Sequence, residues 1–565
     1  MTKIITRRQV LTLVLTVMLF PVACSRLPNT QEKEPSPLFN EYFVHGIASG
    51  DPDQTSVVIW TRVSHVEGNV DVQWQLATDA SFNSIVKKGR FQTSSSRDFT
   101  VKVIVDNLTT NGKYYYRFIA NDVSSPVGQT RTLPVGHIDN LVLALATCAN
   151  YPFGYFNAYD AIAKDSSIDM VVHMGDYIYE YGIDGFGGSE GKRIERNHLP
   201  SHEILTLEDY RLRHAQYKTD KGSLAMHARH PLIVMWDDHE TANNPWMEGA
   251  SNHQPEEGDW QARRQASLQA YYEWLPVRDP VHEIDRQNYW RHYKFGDLAS
   301  LITLESRHSG RSEQISLDKN LPHLHNKQQA QDFMHDVVGA SNRNMLSKDM
   351  EAFLEKELKE SVDAGRRWRI IGNPSVMAKS TSPPLNTPFF DQLKKELQHN
   401  GKNKQQNKLA ELIHLGELDI PADFDMWDGY PAARERFYQI AQEAGARDLL
   451  VVSGDSHSYW ANALYDADEK PMGVELGSTG ISSPRSLMKL GTQAMKKYDE
   501  LNMAHNKEIV WADGRHRGYI RLEINQQGGH ADFITVSNVE SLEYETKIIH
   551  SVDIEKNGNS LKFGD

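Results

Sequence analysis

Hydrophobic positions follow two different patterns along the chain, and the first covers residues 41–134. There, apolar and polar residues alternate with a period of two, as in Val70-Asp71-Val72-Gln73-Trp74-Gln75-Leu76. Tyr114, Tyr116 and Phe118 repeat the alternation further on. Short alternating strands separated by turn residues are typical of an antiparallel sandwich. The pattern therefore predicts a small all-β domain, an Ig/FnIII-like sandwich, over residues 41–135.

After Pro134 the apolar runs become unbroken, and helical patterns such as 262–275 and 349–362 separate several of them. The runs are 141–146, 170–174, 232–236, 301–304, 369–372 and 449–453. Strands this apolar suit a sheet that is buried on both faces, with helices as the covering layers. We therefore expect an α/β layered catalytic domain over 139–545, followed by a C-terminal tail over 546–565.

The first residues have the pattern of an export signal rather than of a folded segment. Arg7-Arg8 precede an uncharged run from Gln9 to Ala23, which is shorter than the about 20 residues needed to span a bilayer. The surrounding Thr6-Arg7-Arg8-Gln9-Val10-Leu11 resembles a twin-arginine signal, although an ordinary Sec signal stays open. We expect a signal over 1–24, a polar linker over 25–40, passage through the twin-arginine export machinery, and a periplasmic or extracellular protein. Cys24 leaves attachment as a lipoprotein open.

Composition and net charge argue against one class of binding partner, nucleic acids. The chain is 39% hydrophobic and 24% charged, as soluble globular proteins are, and its net charge is −14. A nucleic-acid-binding face needs clustered Lys and Arg, so no stable nucleic-acid partner is expected. The two cysteines are Cys24 and Cys148. If Cys24 is removed or lipidated, Cys148 has no disulfide partner and is either buried and inert or chemically employed.

Polar side chains follow five of the predicted buried strands. Ligands gather beyond the carboxyl ends of strands in open α/β sheets, so these five loops are expected to meet at one edge. Several carboxylates at one edge would repel each other unless cations neutralised them, which predicts a metal site. The five endings are Thr147-Cys148-Ala149-Asn150, Gly175-Asp176-Tyr177-Ile178-Tyr179, Trp236-Asp237-Asp238-His239-Glu240, Gly372-Asn373-Pro374 and Gly454-Asp455-Ser456-His457.

These endings, in this order, resemble the motif blocks of the calcineurin-like metallophosphoesterases, and more closely those of the alkaline phosphatase D (PhoD-like) family. The matching pieces run in family order from residue 43 to about 484. They are "FVHGIASGDP", "VVIWTRV", "ATCANY", "HMGDYIYE", "YRLRHAQY", "WDDHE", "WRIIGN", "WDGYP" and "VVSGDSHSYW". The resemblance implies a metal-dependent hydrolase of phosphomonoesters, phosphodiesters or both. It also likens the opening sandwich to the N-terminal domain of some secreted phospholipase D enzymes.

Ligand chemistry gives each predicted site residue a role. The thiolate, carboxylate, phenolate and imidazole of Cys148, Asp176, Tyr179 and His457 suit Fe(III), and a Tyr in this block is the form seen in purple acid phosphatases. A second, oxygen-rich set of Asp176, Asp238 and Asp455, with Asn373 as a further oxygen, favours Ca²⁺. The resemblance implies the same pairing of iron with calcium, and other divalent metals stay open. Asp237 is either an acceptor behind this set or the ligand in place of Asp238.

The expected reaction is attack of a metal-activated water on a small phosphate ester or a phospholipid-derived substrate. His239 is the candidate general acid, or else it orients a neighbouring group. Glu240 is expected to orient His239, and Asn150 to lie behind the ligands or near the substrate. The helix that carries Arg211 and Arg213 either guides the anionic substrate or presents a solvated face.

Three other functions stay open on the sequence. The runner-up is a phospholipase D-type diesterase that cleaves phospholipids on the same scaffold. A non-catalytic surface or binding protein is a remote alternative, because all the proposed ligands are present. A serine hydrolase using Ser456 or Ser49 is disfavoured, because no Gly-x-Ser-x-Gly elbow follows a strand.

Overall fold

Two large β-sheets stacked face to face form the centre of the computed structural model, which describes residues 41–564. The strands of the first part are β1 (Ile47–Gly50), β2 (Val57–Arg62), β3 (Val70–Ala77), β4 (Ile85–Thr93), β5 (Thr100–Val105), β6 (Lys113–Ala120), β7 (Val123–Ser124), β8 (Gly128–Arg131), β9 (Asn140–Ala146), β10 (Met170–His173), β11 (Leu232–Val234), β12 (Pro245–Trp246) and β13 (Gly249–Ala250). Those of the second part are β14 (His292–Phe295), β15 (Ala299–Thr303), β16 (Trp368–Gly372), β17 (Leu449–Ser453), β18 (Tyr459–Tyr465), β19 (Pro471–Gly477), β20 (Ile509–Asp513), β21 (Arg517–Asn525), β22 (Gly529–Val536), β23 (Thr546–Asn557) and β24 (Ser560–Phe563). The predicted export signal and linker lie outside the described residues.

The helices of the described range lie mostly between these strands. They are α1 (Asn157–Lys164), α2 (Gly188–Arg193), α3 (Leu207–Tyr217), α4 (Lys221–Arg229), α5 (Trp260–Trp274), α6 (Leu317–Asn320), α7 (Lys327–Phe333), α8 (Lys348–Asp363), α9 (Pro388–His399), α10 (Asn403–Leu418), α11 (Pro431–Glu443) and α12 (Thr492–His505). Over residues 41–564, no helix is long and apolar enough to cross a membrane.

The strands that end in the predicted ligands are parallel neighbours at the centres of the two sheets. The ten-stranded sheet has the order β24-β23-β22-β21-β9-β10-β11-β1-β2-β5, in which β9, β10 and β11 pair in parallel. The seven-stranded sheet has the order β14-β15-β16-β17-β19-β18-β20, in which β15, β16, β17 and β19 pair in parallel. The carboxyl ends of parallel strands point the same way, so the loops that follow them share an edge.

Burial on both faces explains why these strands are uniformly apolar. In β9, Leu143 and Leu145 point inward and pack with Ile370 and Leu450 of the opposite sheet. Alternate residues such as Ala144 point outward, where α1, α3, α4 and α5 cover the first sheet. Helices α8 and α11 cover the outer face of the second sheet in the same way. The layers therefore run helix, sheet, sheet, helix, which is the α/β layered architecture that the sequence predicts.

The N-terminal strands form the expected sandwich but share a sheet with the rest of the chain. Strands β3, β4, β6, β7 and β8 form a separate sheet that packs on β1, β2 and β5. Strand β1 also pairs in parallel with β11, Gly50 opposite Leu232. A Cβ at Gly50 would lie 2.5 Å from the Leu232 carbonyl oxygen, so only glycine permits this approach. The sandwich is thus joined to the central sheet by backbone pairing.

Residues 546–565, expected to be a tail, instead contribute strands to the ten-stranded sheet. Strand β23 pairs with β22 from Thr546 opposite Val536 to Ile554 opposite Gly529, and β24 pairs with β23. Most β23 side chains are exposed or half-buried, and the alternation that marks a half-buried strand is limited to Val552-Asp553-Ile554-Glu555, where Val552 and Ile554 face the core. The expectation of a tail was therefore wrong, because so short an alternation is a weak sequence signal for a strand of this length.

Candidate metal centre and active site

The predicted ligands converge at the carboxyl edge of the central strands. Cys148 follows β9, Asp176 follows β10 and His457 follows β17, and one ligand atom from each lies within 4.8 Å of the others. A second group of the same kind contains Asp237, Asp238 and Asp455, and a third contains Asp176, Asp238 and His239. Asp176 belongs to the first and third groups, so its carboxylate lies between the thiol and imidazole on one side and the acids on the other.

Tyr179 completes the first group. Its hydroxyl donates to Asp176 Oδ2 at 2.7 Å and lies 3.1 Å from His457 Nε2. Ser483 Oγ donates to the same phenol oxygen at 2.9 Å. His457 Nδ1 lies 3.0 Å from the Pro484 carbonyl oxygen, which can only accept, so Nδ1 carries the proton and Nε2 presents its lone pair to the site. The three-residue spacing from Asp176 to Tyr179 thus brings both oxygens to one point.

Four of the converging residues have a left-handed backbone. The φ angles are 58° at Cys148, 58° at Asp176, 63° at Asp455 and 55° at His457. Each such residue other than glycine costs about 1–3 kcal/mol, and residues of this kind cluster at functional sites. The surrounding fold therefore holds these four residues against a local preference, which is expected where their side chains must aim at one centre.

Glycine allows the β10 and β11 loops to approach each other. Gly175 has a φ of 93°, and a Cβ on it would lie 2.3 Å from the backbone nitrogen of Asp237. Any larger residue would push the Asp176 loop away from the Asp237–Asp238 loop. Close packing of the two loops that carry Asp176 and Asp237 therefore requires the glycine that stands before Asp176.

The buried acidic groups at this edge of the sheet favour the binding of a cation. Burial raises the pKa of Asp176 well above its usual range, and Asp238 and Glu240 raise it further. Burial and Asp237 do the same to the pKa of Asp455. Burial, followed by the carboxylate of Asp176, also raises the pKa values of the Cys148 thiol and the Tyr179 phenol. Protein groups alone thus favour the neutral forms, whereas a bound cation would hold thiol, phenol and carboxylates deprotonated. This donor set fits a metal ion.

Arg307 is a charged member of the site that the sequence reasoning missed. It is fully buried, its Nε donates to Asp237 Oδ1 at 2.6 Å, and its Nη1 donates to Asp425 Oδ2 at 2.6 Å. Its Nη2 lies 3.6 Å from Asp455 Oδ2. Arg307 stands four residues beyond the end of β15, so reading the residues after the run 301–304 would have found it.

The two adjacent aspartates have different surroundings. Asp237 is engaged by the Arg307 guanidinium, whereas Asp238 accepts from the backbone N–H groups of His239 and Asn244, each at 2.9 Å. Asp238 also belongs to both the second and the third of the groups of ligand atoms, whereas Asp237 belongs only to the second. These contacts favour Asp238 as the ligand and Asp237 as the partner of the arginine.

His239 is oriented by Glu180, and the expectation that Glu240 does so was wrong. Glu180 Oε2 lies 2.7 Å from His239 Nδ1, while His239 Nε2 lies 3.8 Å from Asp238 Oδ2. The imidazole also stacks on the Tyr179 ring at 4.2 Å between centroids. Burial lowers the pKa of His239, but the carboxylates of Asp238, Glu180 and Asp176 together raise it well above its usual value. The protein groups around the imidazole therefore favour its protonated form.

Glu240 instead holds the two ligand loops together. Its carboxylate accepts from the backbone N–H groups of Asp176, Tyr177 and Asp237, at 3.1, 2.6 and 2.9 Å. These three N–H groups belong to the loops after β10 and β11. A buried carboxylate that joins both loops fixes the separation of the acids they carry.

We expect Glu240→Gln to destabilise the protein by about 1–3 kcal/mol, because the amide cannot accept from all three buried N–H groups. Thermal unfolding of the purified variant measures this as a lower Tm. The exposed Glu543 supplies the control, since Glu543→Gln removes a charge without removing a buried acceptor. Equal unfolding temperatures for the two variants would contradict the assignment of Glu240 as a brace.

Two other predicted residues lie near the site with different partners. The Asn373 side chain donates to the Ser375 carbonyl and accepts from the Trp427 indole N–H at 3.1 Å. Asn150 is buried, and its Oδ1 has no hydrogen-bond partner among the described residues. The roles of Asn373 as a ligand and of Asn150 behind the ligands stay predictions.

The arginines of α3 are both engaged by other groups of the protein. Arg211 pairs with Glu273 at 2.7 Å. Arg213 is fully buried and donates to the backbone carbonyls of Tyr179, Leu199 and Pro200. Neither alternative from the sequence, substrate guidance or a solvated face, describes Arg213, which instead supports the loop that carries Tyr179.

The site opens into a cavity of about 450 Å³. Its lining includes Asp238, His239, Asp455 and His457, and we call the part of the cavity at these four residues the acid end. A small ester can therefore reach the edge where the ligands converge.

The fold and the site together define a phosphate-ester hydrolase with a metallophosphoesterase-like architecture. Residues 143–533 match the family model described as PhoD-like phosphatase, and residues 29–134 match the model of the PhoD-like phosphatase N-terminal domain. The chain belongs to the PhoD-like phosphatase family, which confirms the resemblance drawn from its motifs.

Relatives agree with this assignment. The chain is 33% identical over 523 residues to alkaline phosphatase D of Bacillus subtilis (strain 168), which covers 89% of this chain and 79% of that protein. It matches a solved structure of PhoD with a TM-score of 0.73 and 30% identity over 93% of each chain. It also matches the purple acid phosphatase PPD1 of yellow lupin, with a TM-score of 0.52 and 11% identity, over 91% of this chain and 74% of that one. This last likeness concerns the fold alone.

Proposed function

We propose that this protein is an exported, metal-dependent phosphoesterase that hydrolyses phosphodiesters, phosphomonoesters or both. The observation that carries the proposal is the position of Asp176, whose carboxylate belongs to two groups of ligand atoms at once. A carboxylate shared between two such groups is what a two-metal hydrolase requires. The name of the B. subtilis relative, alkaline phosphatase D, supports the same reaction class.

We propose two different metals for the two groups. Cys148, Asp176, Tyr179 and His457 would hold Fe(III), because thiolate and phenolate donors suit a trivalent transition metal. Asp176, Asp238 and Asp455 would hold Ca²⁺, because the set is made of hard oxygens. When bound, such cations polarise the phosphate oxygens and lower the pKa of the water that attacks phosphorus.

The remaining steps belong to side chains. His239, held by Glu180 through Nδ1, donates a proton from Nε2 to the departing alkoxide. Burial raises the pKa of Asp237 well above its usual value, and the Arg307 guanidinium opposes this shift and limits the repulsion among the buried acids. Glu240 keeps the loops that carry Asp176 and Asp238 at a fixed separation.

Metal removal tests this proposal directly. We expect elemental analysis of the purified protein to find iron and calcium, and its solutions to be coloured by charge transfer from phenolate or thiolate to iron. Strong chelation should abolish hydrolysis of a chromogenic phosphodiester, and adding both metals back should restore it. A protein that contains neither metal and remains active after chelation would refute the proposal.

We propose that the protein is exported to the periplasm or beyond by the twin-arginine route, on the basis of Arg7-Arg8 and the uncharged run that follows. Arg7→Lys combined with Arg8→Lys is expected to leave the precursor inside the cell, whereas Lys3→Arg should not affect export. Cell fractionation followed by immunoblotting measures both. Normal export of the double variant would favour the ordinary Sec route.

A further inference from the structure

The cavity that reaches the acids continues into a region with different chemistry. Five apolar side chains, which we call the apolar chamber, also line this cavity together with polar ones such as Lys408, Arg485 and Asn502: Leu412, Trp460, Leu487, Tyr498 and Ile509. They come from α10, β18, the turn before α12, α12 and β20. A phosphate group can bind at the acid end, whereas the five apolar side chains favour contact with an apolar group.

The apolar chamber is preformed. Its five side chains are all buried, and they belong to two packed hydrophobic clusters of the fold. The Arg485 guanidinium lies 5.3 Å from the ring centroids of both Trp460 and Tyr498, which fixes the two aromatic walls relative to each other. The space between them therefore exists before any ligand arrives, so binding there costs little reorganisation.

The chamber is tied to the loop that carries the ligands. The Trp460 indole N–H donates to Ser456 Oγ at 2.7 Å, and Ser456 stands between Asp455 and His457. A ligand that contacts Trp460 is thus linked, through this hydrogen bond to Ser456, to the loop that carries Asp455 and His457. Phosphate at the acid end and an apolar group in the chamber can belong to one molecule.

The size of the cavity points to a compact occupant. A volume of about 450 Å³ lies in the range of small-molecule sites, about 300–1,000 Å³. Orthophosphate alone would leave most of this space unfilled.

We infer that the apolar chamber binds one compact apolar or aromatic substituent of the phosphate ester, while the phosphate group lies at the acid end. This inference rests on the proposed function and specifies its substrate class. Asn462 adds one polar point, because it lines the same cavity and its buried Oδ1 has no partner in the described part of the chain. Its Nδ2 donates to Glu475 at 2.9 Å, so the substituent can carry a hydroxyl or amino group that donates to Oδ1.

Non-hydrolysable phosphonates test the inference, because each has a single substituent. Methylphosphonate, phenylphosphonate and dodecylphosphonate are compared as competitive inhibitors of methyl p-nitrophenyl phosphate hydrolysis by the metal-loaded protein. We expect phenylphosphonate to have a Ki at least about tenfold below that of methylphosphonate, the usual gain from filling an apolar pocket. Dodecylphosphonate should bind no more tightly than phenylphosphonate.

Two variants test where the substituent binds. Ala422 is half-buried, lines the cavity and packs against the cluster that contains Leu412 and Leu487. Ala422→Trp should fill the chamber and raise the Ki of phenylphosphonate about tenfold while leaving that of methylphosphonate unchanged. Leu487→Ala should reduce the preference for phenyl by enlarging the chamber, and it adds no bulk. Ala410→Trp, on an exposed position of α10, is the matched control and should change neither Ki.

A second inhibitor series tests the Asn462 contact. At least one of the three hydroxyphenylphosphonate isomers should bind more tightly than phenylphosphonate, and Asn462→Leu should remove that gain. The absence of a gain for all three isomers would remove Asn462 from the inference.

The outcomes separate the inference from the proposed function. If the protein hydrolyses phosphate esters but has equal Ki values for methylphosphonate and phenylphosphonate, the inference about the apolar chamber is refuted and the proposed phosphoesterase function is not. A lower Ki for dodecylphosphonate than for phenylphosphonate that is unchanged in Ala422→Trp would also refute the inference, and it would indicate that a lipid chain binds elsewhere. Absence of any phosphate-ester hydrolysis would refute the proposed function, and titration calorimetry with the same phosphonates would still test the chamber.

Discussion

Asp176→Asn is expected to reduce phosphodiester hydrolysis by about a thousandfold or more and to release bound metal. Asparagine has nearly the same shape and can still accept from the Tyr179 hydroxyl, but it brings no negative charge between the two groups of ligands. Loss of one fixed electrostatic contact in an active site typically costs about 10²–10³-fold. A carboxylate that serves two groups should exceed that range. Steady-state kinetics and elemental analysis of the same preparation measure both effects.

The control for this variant is Asp349→Asn, at an exposed position in the first turn of α8. It changes the net charge by the same amount and should retain full activity and metal content. Circular dichroism should show that both variants are folded. An Asp176→Asn protein that keeps its metals and hydrolyses diesters at the original rate would remove the basis of the two-metal site.

The convergence of the ligands was predictable because a single local rule generates it. An uninterrupted apolar run indicates a strand buried on both faces, and parallel strands deliver their following residues to one edge. Cys148, Asp176, Asp238 and Asp455 each stand within four residues of such a strand end. The structure brings all four into overlapping groups of ligand atoms. Local sequence was sufficient here because the backbone alone fixes which edge these residues reach.

The pairing of the supporting side chains was not predictable from local sequence. Glu180 and Glu240 lie at comparable distances along the chain from strand ends, yet Glu180 contacts His239, and Glu240 contacts three backbone N–H groups. Which carboxylate meets which donor depends on how the loops after β10 and β11 pack together. Arg307 and Asp425 are 118 residues apart and meet only in the folded protein. Such contacts have no sequence periodicity to reveal them.

Glu180→Gln is expected to lower kcat about ten- to hundredfold for diesters with an alkyl alcohol as leaving group, the usual cost of removing a carboxylate that orients a functional histidine. Glu180 is fully buried, and His239 Nδ1 lies 2.7 Å from its Oε2. Its other oxygen accepts from the Asn243 backbone N–H and the Asn252 amide, each at 2.8 Å. Glutamine retains the volume but no longer stabilises a protonated imidazole. The matched control is Glu203→Gln, which breaks the nearby pair with Arg263 without touching His239.

The leaving group distinguishes orientation of a proton donor from a purely structural role. An alkoxide needs a proton to depart, whereas p-nitrophenolate departs without one, so Glu180→Gln should slow alkyl diesters strongly and nitrophenyl diesters little. A structural defect would slow both classes alike. His239→Ala should likewise slow alkyl diesters strongly and nitrophenyl diesters little. Residues that act together have effects on the rate that do not add. Adding Glu180→Gln to His239→Ala should therefore cause no further loss with alkyl diesters, and an additive loss would show that Glu180 does not act through His239.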